Sequence, residues 1–411
     1  MRIKETGETM TVLRACGWEP LYRINAVEFG DGTVWTWDDI RRNGLHGTDG
    51  GEVLHVVQGG TIYGGAGNDT VSGGASNNNV LYGEDGNDKV YGGNADDILD
   101  GGAGDDWLEG GNGNDIYVFG KGYGHDTVKV YNSDGKSYDK RIRLAGLTAD
   151  EVEFGTVQRP EGSQTYYDLV VRIKETGETM TVLRGCGWEP LYRINAVEFG
   201  DGTVWTWDDV RSHGLYGTDG DDILHVVQGG TLYGGAGNDI LSGGASSSDV
   251  LYGGDGDDQL YGHAGDDILI GGAGNDYLEG GAGNDTYLFR FGDGQDTINN
   301  AGGGNDLLKF TDIDPAELWF GKSGNNLVIG LIGGTDQVTV NNWYSGSLGG
   351  YSIDRIEASD SYLVESQVAQ LVQAMAAVGA PGGAEGQWTD EQREALAPVL
   401  AIDPAVKYIH Q

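Results

Sequence analysis

Aspartates that recur every nine residues are the side chains of this sequence best placed to do chemistry. Two runs of nine-residue units, each beginning with glycine, carry an aspartate at the sixth position. A carboxylate is a hard oxygen ligand, and glycine permits positive φ angles that let a turn aim its backbone carbonyls at a common point. The sixth-position aspartates are Asp69, Asp88, Asp97, Asp106, Asp115, Asp239, Asp258, Asp267, Asp276 and Asp285.

The donor atoms that these units offer are all oxygens. Six or more hard oxygens, some of them from the backbone, suit Ca²⁺, whereas Zn²⁺ or copper would require paired cysteines or clustered histidines. Cys16 and Cys186 occupy matching positions in two copies of one segment and are not expected to pair, and the seven histidines are scattered. Ordinary β-turn chemistry also favours Asp and Gly, but it does not explain a strict nine-residue phase. We therefore expect several bound Ca²⁺ ions.

No arrangement of residues in the sequence indicates an enzyme. The motifs H-E-x-x-H and G-x-S-x-G and the P-loop are absent. Carboxylates could imitate the acid pair of a glycosidase, but aspartates committed to repeated turns are poor candidates for tuned acid and base roles. The net charge of −39, from 64 acidic and 25 basic residues, would repel phosphate backbones and anionic lipid surfaces. We expect a non-catalytic protein whose partners are cations.

The nine-residue period is strict within two segments. The complete units span 64–72, 83–91, 92–100, 101–109 and 110–118, and then 234–242, 253–261, 262–270, 271–279 and 280–288. A ten-residue unit interrupts each series at 73–82 and 243–252, and a degenerate turn opens each series at 47–52 and 217–222. We expect these irregular units to bind metal less well.

The consensus G-G-x-G-x-D-x-U-x, with U a large apolar residue, resembles the RTX calcium-binding nonapeptide. A glycine-rich flexible linker, the alternative, does not account for ten phased units. The resemblance implies parallel β-rolls in which ions lie between stacked turns, bound by the position-six aspartates and by carbonyls near positions two and four. The glycines implied as carbonyl donors are Gly65, Gly67, Gly93, Gly102, Gly104, Gly111, Gly113, Gly235, Gly237, Gly254, Gly256, Gly265, Gly272, Gly274, Gly281 and Gly283. Further expected ligands in the flanking turns are Asp126, Asp222 and Asp296.

Short strands must position these turns. We expect six residues of each unit to form a turn and three to form a strand, so that unit i stacks on unit i+2. Without metal, stacked carboxylates about 4.8 Å apart would repel one another, so folding should await calcium. Position eight is expected to point inward as a thin core, formed by Val71, Val90, Leu99, Leu108, Leu241, Leu260, Leu269 and Leu278.

A longer repeat of 170 residues organises the chain. Residues 2–39 recur as 172–209 with one change, Ala15 becoming Gly185. The chain begins inside such a module, which suggests a fragment of a longer array. The predicted class is all-β, with two β-rolls, mainly β flanking blocks that resemble haemolysin-type calcium-binding related domains, and a helical tail. The predicted boundaries are 1–44 (partial flanking block), 45–128 (first β-roll), 129–214 (flanking block), 215–298 (second β-roll), 299–360 (flanking block) and 361–411 (tail).

The C-terminal tail differs in character from the repeats. Apolar residues at helical spacing predict a helix over 365–378, and Thr389 with Gln392 forms a capping box for a second helix through Ala397, before Pro398. The N-terminus has no apolar core of a signal peptide, and no run approaches the ~20 apolar residues of a membrane span. In RTX proteins an uncleaved type I secretion signal lies at the C-terminus, so the resemblance implies the type I secretion machinery as a partner and a secreted, extracellular or cell-surface location. A helix that only caps the last roll is the alternative.

Two functions fit these features. The chain is expected to be the calcium-binding repeat region of a secreted RTX protein that folds on Ca²⁺ capture and acts as a structural or adhesin-type array, with the cell surface or neighbouring array modules as further partners. The alternative is the secretion and stability tail of a larger hydrolase or toxin whose catalytic domain lies upstream. The 170-residue duplication favours the array, because a tail need not repeat its whole module.

Overall fold

The fold was analysed in a computed structural model. It describes residues 26–28, 33–36, 39, 43–56, 59–74, 77–161, 164–185, 194–226, 228–345, 351–359, 361–379 and 389–400. Cys16, Cys186 and most of the predicted partial block 1–44 lie outside these ranges. The chain divides into two compact units, Met1–Glu153 with Asp168–Trp207 and Phe154–Tyr167 with Asp208–Gln411. The described part is dominated by short β-strands, which confirms the predicted all-β class.

The first eighteen strands cover the first repeat block (45–128) and the segments on either side of it. They are β1 Ala26–Glu28, β2 Val34–Thr36, β3 Leu45–His46, β4 Val53–His55, β5 Gly60–Ala66, β6 Thr70–Ser72, β7 Asn79–Asp85, β8 Lys89–Gly93, β9 Ile98–Ala103, β10 Trp107–Gly111, β11 Ile116–Gly120, β12 His125–Lys129, β13 Arg141–Ala145, β14 Val152–Glu161, β15 Gln164–Ile173, β16 Thr179–Leu183, β17 Ala196–Glu198 and β18 Val204–Thr206.

Two parallel ladders form the first repeat block. One has the order β17-β13-β11-β9-β7-β5-β3 and the other β16-β12-β10-β8-β6-β4. Antiparallel pairing appears beyond the repeats, where β18 pairs with β17 and β15 pairs with β16. Consecutive strands therefore alternate between two ladders, and each coil of the solenoid contributes one strand to each.

The second compact unit of the chain repeats this arrangement around the second repeat block (215–298). Its ladders have the orders β19-β21-β23-β25-β27-β29-β33-β34 and β20-β22-β24-β26-β28-β32-β31-β30. The strands are β19 Leu215–Tyr216, β20 Ile223–His225, β21 Thr231–Ala236, β22 Ile240–Ser242, β23 Val250–Asp255, β24 Gln259–Ala264, β25 Ile268–Ala273, β26 Tyr277–Ala282, β27 Thr286–Phe289, β28 Gln295–Ile298, β29 Leu307–Phe310, β30 Leu318–Ser323, β31 Asn326–Leu331, β32 Gln337–Val340, β33 Arg355–Ala358 and β34 Ser361–Val364. The helices are α1 Trp207–His213, α2 Glu365–Val378 and α3 Asp390–Leu400.

The predicted stacking of unit i on unit i+2 is confirmed. Leu99 in β9 lies opposite Leu81 in β7 and Tyr117 in β11, so apolar side chains form a column across successive coils. Burial of each such side chain contributes about 1.5–3 kcal/mol. The predicted position-eight residues are all buried, and none is more than 3% exposed. They are Val71, Val90, Leu99, Leu108, Leu241, Leu260, Leu269 and Leu278.

Several strands of the repeat blocks are longer than the three residues that the sequence suggested, although β6 and β22 have that length. β9 and β25 each span six residues rather than three, because they continue through the two glycines that open the next unit. Gly254 pairs with Gly272 in the parallel register, which shows that these glycines remain in the ladder. The turn is therefore confined to about positions four to six, and it brings the aspartate close to the glycines.

The C-terminal helices cover one end of the second unit. Val368, Leu371, Val372 and Met375 of α2 are buried, and the backbone N–H of Phe320 in β30 contacts Met375 Sδ at 3.0 Å. Thr389 and Gln392 form the predicted capping box, with bonds of 3.1 and 3.2 Å. The predicted end before Pro398 is wrong, since α3 continues to Leu400. Pro398 has no backbone N–H, so one i→i−4 hydrogen bond is missing there, and the helix ends two residues later.

Candidate metal sites

Each position-six aspartate is buried between two coils and bonded along the solenoid. Oδ1 of Asp106 accepts the backbone N–H of Asp88, one coil earlier, at 2.7 Å. In the second repeat block, Oδ1 of Asp276 accepts the N–H of Asp258 at 2.8 Å. The parallel register places each aspartate directly above its predecessor, so one carboxylate oxygen is occupied by the backbone of the neighbouring coil.

The second carboxylate oxygen, Oδ2, has no hydrogen-bond partner at most of these positions in the described part of the chain. A buried oxygen acceptor without a donor is costly, and an ionised one more so. A cation beside each Oδ2 would remove that cost. The ten buried aspartates with an unpartnered Oδ2 are Asp69, Asp88, Asp97, Asp106, Asp126, Asp239, Asp258, Asp267, Asp276 and Asp285.

Glycine lets the carboxylate and a carbonyl of the adjacent coil approach the backbone of the turn closely. A Cβ at Gly101, the first residue of its unit, would lie 2.1 Å from Asp106 Oδ2. At Gly102, where φ is +94°, a Cβ would lie 2.0 Å from the carbonyl oxygen of Glu84 in the adjacent coil. Carboxylate and backbone carbonyl oxygens thus converge on the turn, and this is the donor set that Ca²⁺ prefers. All sixteen glycines predicted as carbonyl donors have φ between +86° and +148°.

Asp115, which is also a predicted metal ligand, differs from the other position-six aspartates in the partner of its Oδ2. Its Oδ2 accepts a hydrogen bond from the Lys140 ammonium group, and the side chains of both residues are almost completely buried. The same Nζ donates to the carbonyl oxygen of Gly111 at 2.5 Å. The Lys140 ammonium group therefore bridges a position-two carbonyl oxygen and a position-six carboxylate oxygen. The oxygens of this turn are thus arranged to hold a positive charge.

Burial changes the protonation of the aspartate columns. Burial, together with the charge of neighbouring carboxylates, raises the pKa of Asp106 and of Asp276 to about 7. At the ends of the columns, burial raises the pKa of Asp126 to about 9 and that of Asp296 to about 8. In the absence of a cation, the folded coils therefore favour the protonated form of these groups near neutral pH.

These shifts predict that acid stabilises the calcium-free fold. An aspartate whose pKa is higher in the folded chain than its unfolded value near 3.9 binds protons more tightly when folded. That contribution is complete below about pH 4 and is lost as pH rises through the folded values of about 6 to 9. In calcium-free buffer, the β-sheet circular dichroism should increase as pH is lowered from 8 to 5, still above the sequence pI of 4.2. An unchanged or weaker β signal at pH 5 would contradict this prediction.

The turns that open each block are arranged differently. Oδ2 of Asp222 accepts the N–H and hydroxyl of Thr218 at 2.6 and 2.7 Å, so the oxygen that lacks a partner elsewhere is satisfied here. Both carboxylate oxygens of Glu52 are occupied by Thr48, whose N–H donates to Oε2 and whose hydroxyl donates to Oε1. Asp126 and Asp296 instead join the columns, because their Oδ1 atoms accept the N–H groups of Asp106 and Asp276 at 3.1 and 3.0 Å.

The sequence prediction, which counted each unit forward from its first glycine and expected glycine at position two, missed three residues of the repeat turns. Asp249, at position seven of a ten-residue unit, is buried, and its Oδ1 and Oδ2 accept the N–H groups of Gly230 and Gly244, both at 2.8 Å. Glu84 and His263 adopt φ of 76° and 77° at position two, where the prediction considered only glycine. Counting back two residues from the apolar strand residue Leu251 would have found Asp249.

No other chemical centre is evident within the described ranges. No group of three or more His, Cys, Asp or Glu side chains there is arranged to hold a metal ion by itself. Among the described residues, no helix has the length and apolar character needed to cross a membrane.

Comparison with known families agrees with this geometry. Residues 61–80, 75–99, 91–126, 231–248, 244–278, 252–287 and 262–298 match the RTX calcium-binding nonapeptide repeat. Residues 168–209 and 326–361 match the haemolysin-type calcium binding protein related domain. These families bind several Ca²⁺ ions through their repeats, and their β-rolls are typically structural rather than catalytic.

One curated relative is the iron-regulated protein FrpA of Neisseria meningitidis serogroup C. It is 37% identical over 130 residues, which are 30% of this chain and 10% of the relative. The similarity thus spans about a tenth of the length of that protein.

Proposed function

We propose that this chain, whose two repeat blocks belong to the RTX calcium-binding nonapeptide family, folds outside the cell by capturing Ca²⁺ and serves there as a structural or adhesin-type array. The observation that supports this most strongly is the set of buried aspartate Oδ2 atoms without a partner. These aspartates come together in a buried column only when the coils stack, so a cation that satisfies them also stabilises the fold.

The calcium-loaded chain could serve as an array or as the tail of a larger protein, and one observation supports each. The 170-residue duplication supports an array, because a region that only assists secretion does not need two complete modules. The short match to a much longer relative leaves room for the alternative, the secretion and stability tail of a larger hydrolase or toxin. The sequence upstream in the same reading frame separates the two: further modules favour the array, and a catalytic domain favours the tail.

Replacing one column aspartate tests calcium capture at these turns. Asp267 is 1% exposed, its Oδ1 accepts the N–H of Asp249 at 2.8 Å, and its Oδ2 has no partner. Asp267→Ala removes both oxygens and should raise the Ca²⁺ concentration for half-maximal β signal by roughly tenfold, about 1.4 kcal/mol. Asp219→Ala, at an exposed residue of the opening turn, is the control and should leave the titration unchanged. Equal shifts for both variants would argue against the aspartate columns as the site.

Export is tested through the tail. We propose that residues 361–411 carry the secretion signal that the RTX resemblance implies, so their deletion should abolish secretion through a type I system. Because α2 packs on β30, the β signal of the truncated chain in saturating calcium should be recorded as a control for folding. Undiminished secretion of the truncated chain would leave the tail with a capping role only.

A further inference from the structure

Lys140 occupies a position in the first unit that corresponds to an aspartate in the second. Lys140 directly precedes β13, and the register pairs Arg141 with Ile116, so Lys140 lies opposite Asp115. In the second unit, Asp306 directly precedes β29, and Leu307 pairs with Thr286, which places Asp306 opposite Asp285. The N–H of Arg141 bonds the carbonyl of Asp115 at 2.9 Å, and the N–H of Leu307 bonds that of Asp285 at 2.8 Å. The two positions are therefore structurally equivalent.

The two side chains have opposite effects on the turn that they face. Asp306 continues the column, because its Oδ1 accepts the N–H of Asp285 at 2.9 Å while Asp285 Oδ2 keeps no partner. The second oxygen of Asp306 is occupied by Asn300, at 2.7 Å. Lys140 ends the column, because its Nζ bonds Asp115 Oδ2 and the carbonyl oxygen of Gly111.

The surroundings of Lys140 show that its ammonium group is built into the turn. The side chain is 1% exposed and that of Asp115 is fully buried, so water does not replace either partner. The backbone of Lys140 is fixed by Asn195, whose N–H bonds the carbonyl of Lys140 at 2.8 Å. A buried carboxylate needs one compensating charge, and a second cation in the same turn would be repelled.

We infer that Lys140 takes the place of one Ca²⁺ ion in the first unit. The Asp115 turn is neutralised by the protein's own ammonium group and binds no calcium, whereas the equivalent Asp285 turn binds an ion. The inference rests on the proposed calcium binding by the aspartate columns. It implies that the first compact unit binds one Ca²⁺ ion fewer than the second at this pair of equivalent turns. Lys140 lies outside the nonapeptide units, so the repeat sequence alone overestimates the number of calcium sites.

The test is the number of Ca²⁺ ions bound per full chain at saturation, measured by native mass spectrometry for paired substitutions. Lys140→Asp imitates Asp306, frees Asp115 Oδ2 and should bind one ion more than wild type. Asp306→Lys imitates Lys140 in the second unit and should bind one ion fewer. Lys121→Asp makes the same charge change at a side chain that is 42% exposed and should not alter the number.

Circular dichroism at saturating calcium shows whether each variant has folded. An unchanged number of ions in folded Lys140→Asp would overturn the inference. If Lys140→Asp lacks the β signal, Asp306→Lys decides, and retention of the wild-type number there would equally overturn it. If the wild-type protein binds no calcium, the proposed function itself is refuted. If the wild-type protein binds calcium and the folded variants bind the same number of ions, only the inference about Lys140 is refuted.

Discussion

Removal of calcium is expected to abolish most of the β-sheet circular dichroism of the two repeat blocks at neutral pH. Each block buries five aspartates whose Oδ2 has no partner among the described residues. An unsatisfied buried group costs about 1–3 kcal/mol, and a charged one more, so five amount to roughly 5–15 kcal/mol per block. That equals the whole net stability of a typical domain, about 5–15 kcal/mol.

The measurement is a titration in both directions. Excess chelator at pH 7.5 should remove the β signal, and Ca²⁺ added back should restore it cooperatively at about 0.1–1 mM, the range of extracellular calcium modules. Mg²⁺ at the same concentration is the matched control, since its small octahedral shell fits carbonyl-rich turns poorly. A β spectrum that persists in chelator at low salt would show that the coils fold without a cation, and the coupling of binding to folding would then be wrong.

Substitution of Gly272 by alanine should be the most damaging single-methyl change among the variants considered. A Cβ at Gly272 would lie 2.1 Å from the carbonyl oxygen of Gly254, and φ is +106°. The overlap is with backbone of the neighbouring coil, which cannot move without separating the strands. Overpacking of this kind costs about 1–3 kcal/mol in addition to the strain at positive φ.

Gly292→Ala provides the control for that strain. Its φ of +94° is similar, but a Cβ there would have nothing within 4 Å. In saturating calcium, the Tm of Gly272→Ala should be several degrees below that of Gly292→Ala, because 1 kcal/mol corresponds to about 2–4 °C for a unit of this size. Equal Tm values would mean that the close approach of coils at position two does not constrain the fold.

Much of the solenoid could be predicted because its contacts repeat the sequence period. Once unit i stacks on unit i+2, residues such as Leu99 and Leu260 must fall in one column, and both are fully buried. The same holds for α2, whose bounds follow from helical spacing of apolar residues. Strand length was underestimated because glycine is usually a turn residue, whereas here close stacking keeps Gly254 and Gly272 within the ladder.

The sequence by itself determined the repeat, the buried columns, the chemical type of the donors and the ion that suits them, because all of these depend on residue type and a local period. Only the tertiary structure decided which carboxylate oxygens keep a protein partner. Asp115 and Asp285 are equivalent in sequence, yet one is bonded by Lys140 and the other has an unpartnered Oδ2. Lys140 follows Asp115 by 25 residues, outside the repeat, and reaches it only because β13 adds to the ladder beside β11. A contact made through strand pairing beyond the repeat leaves no trace in the nine-residue pattern.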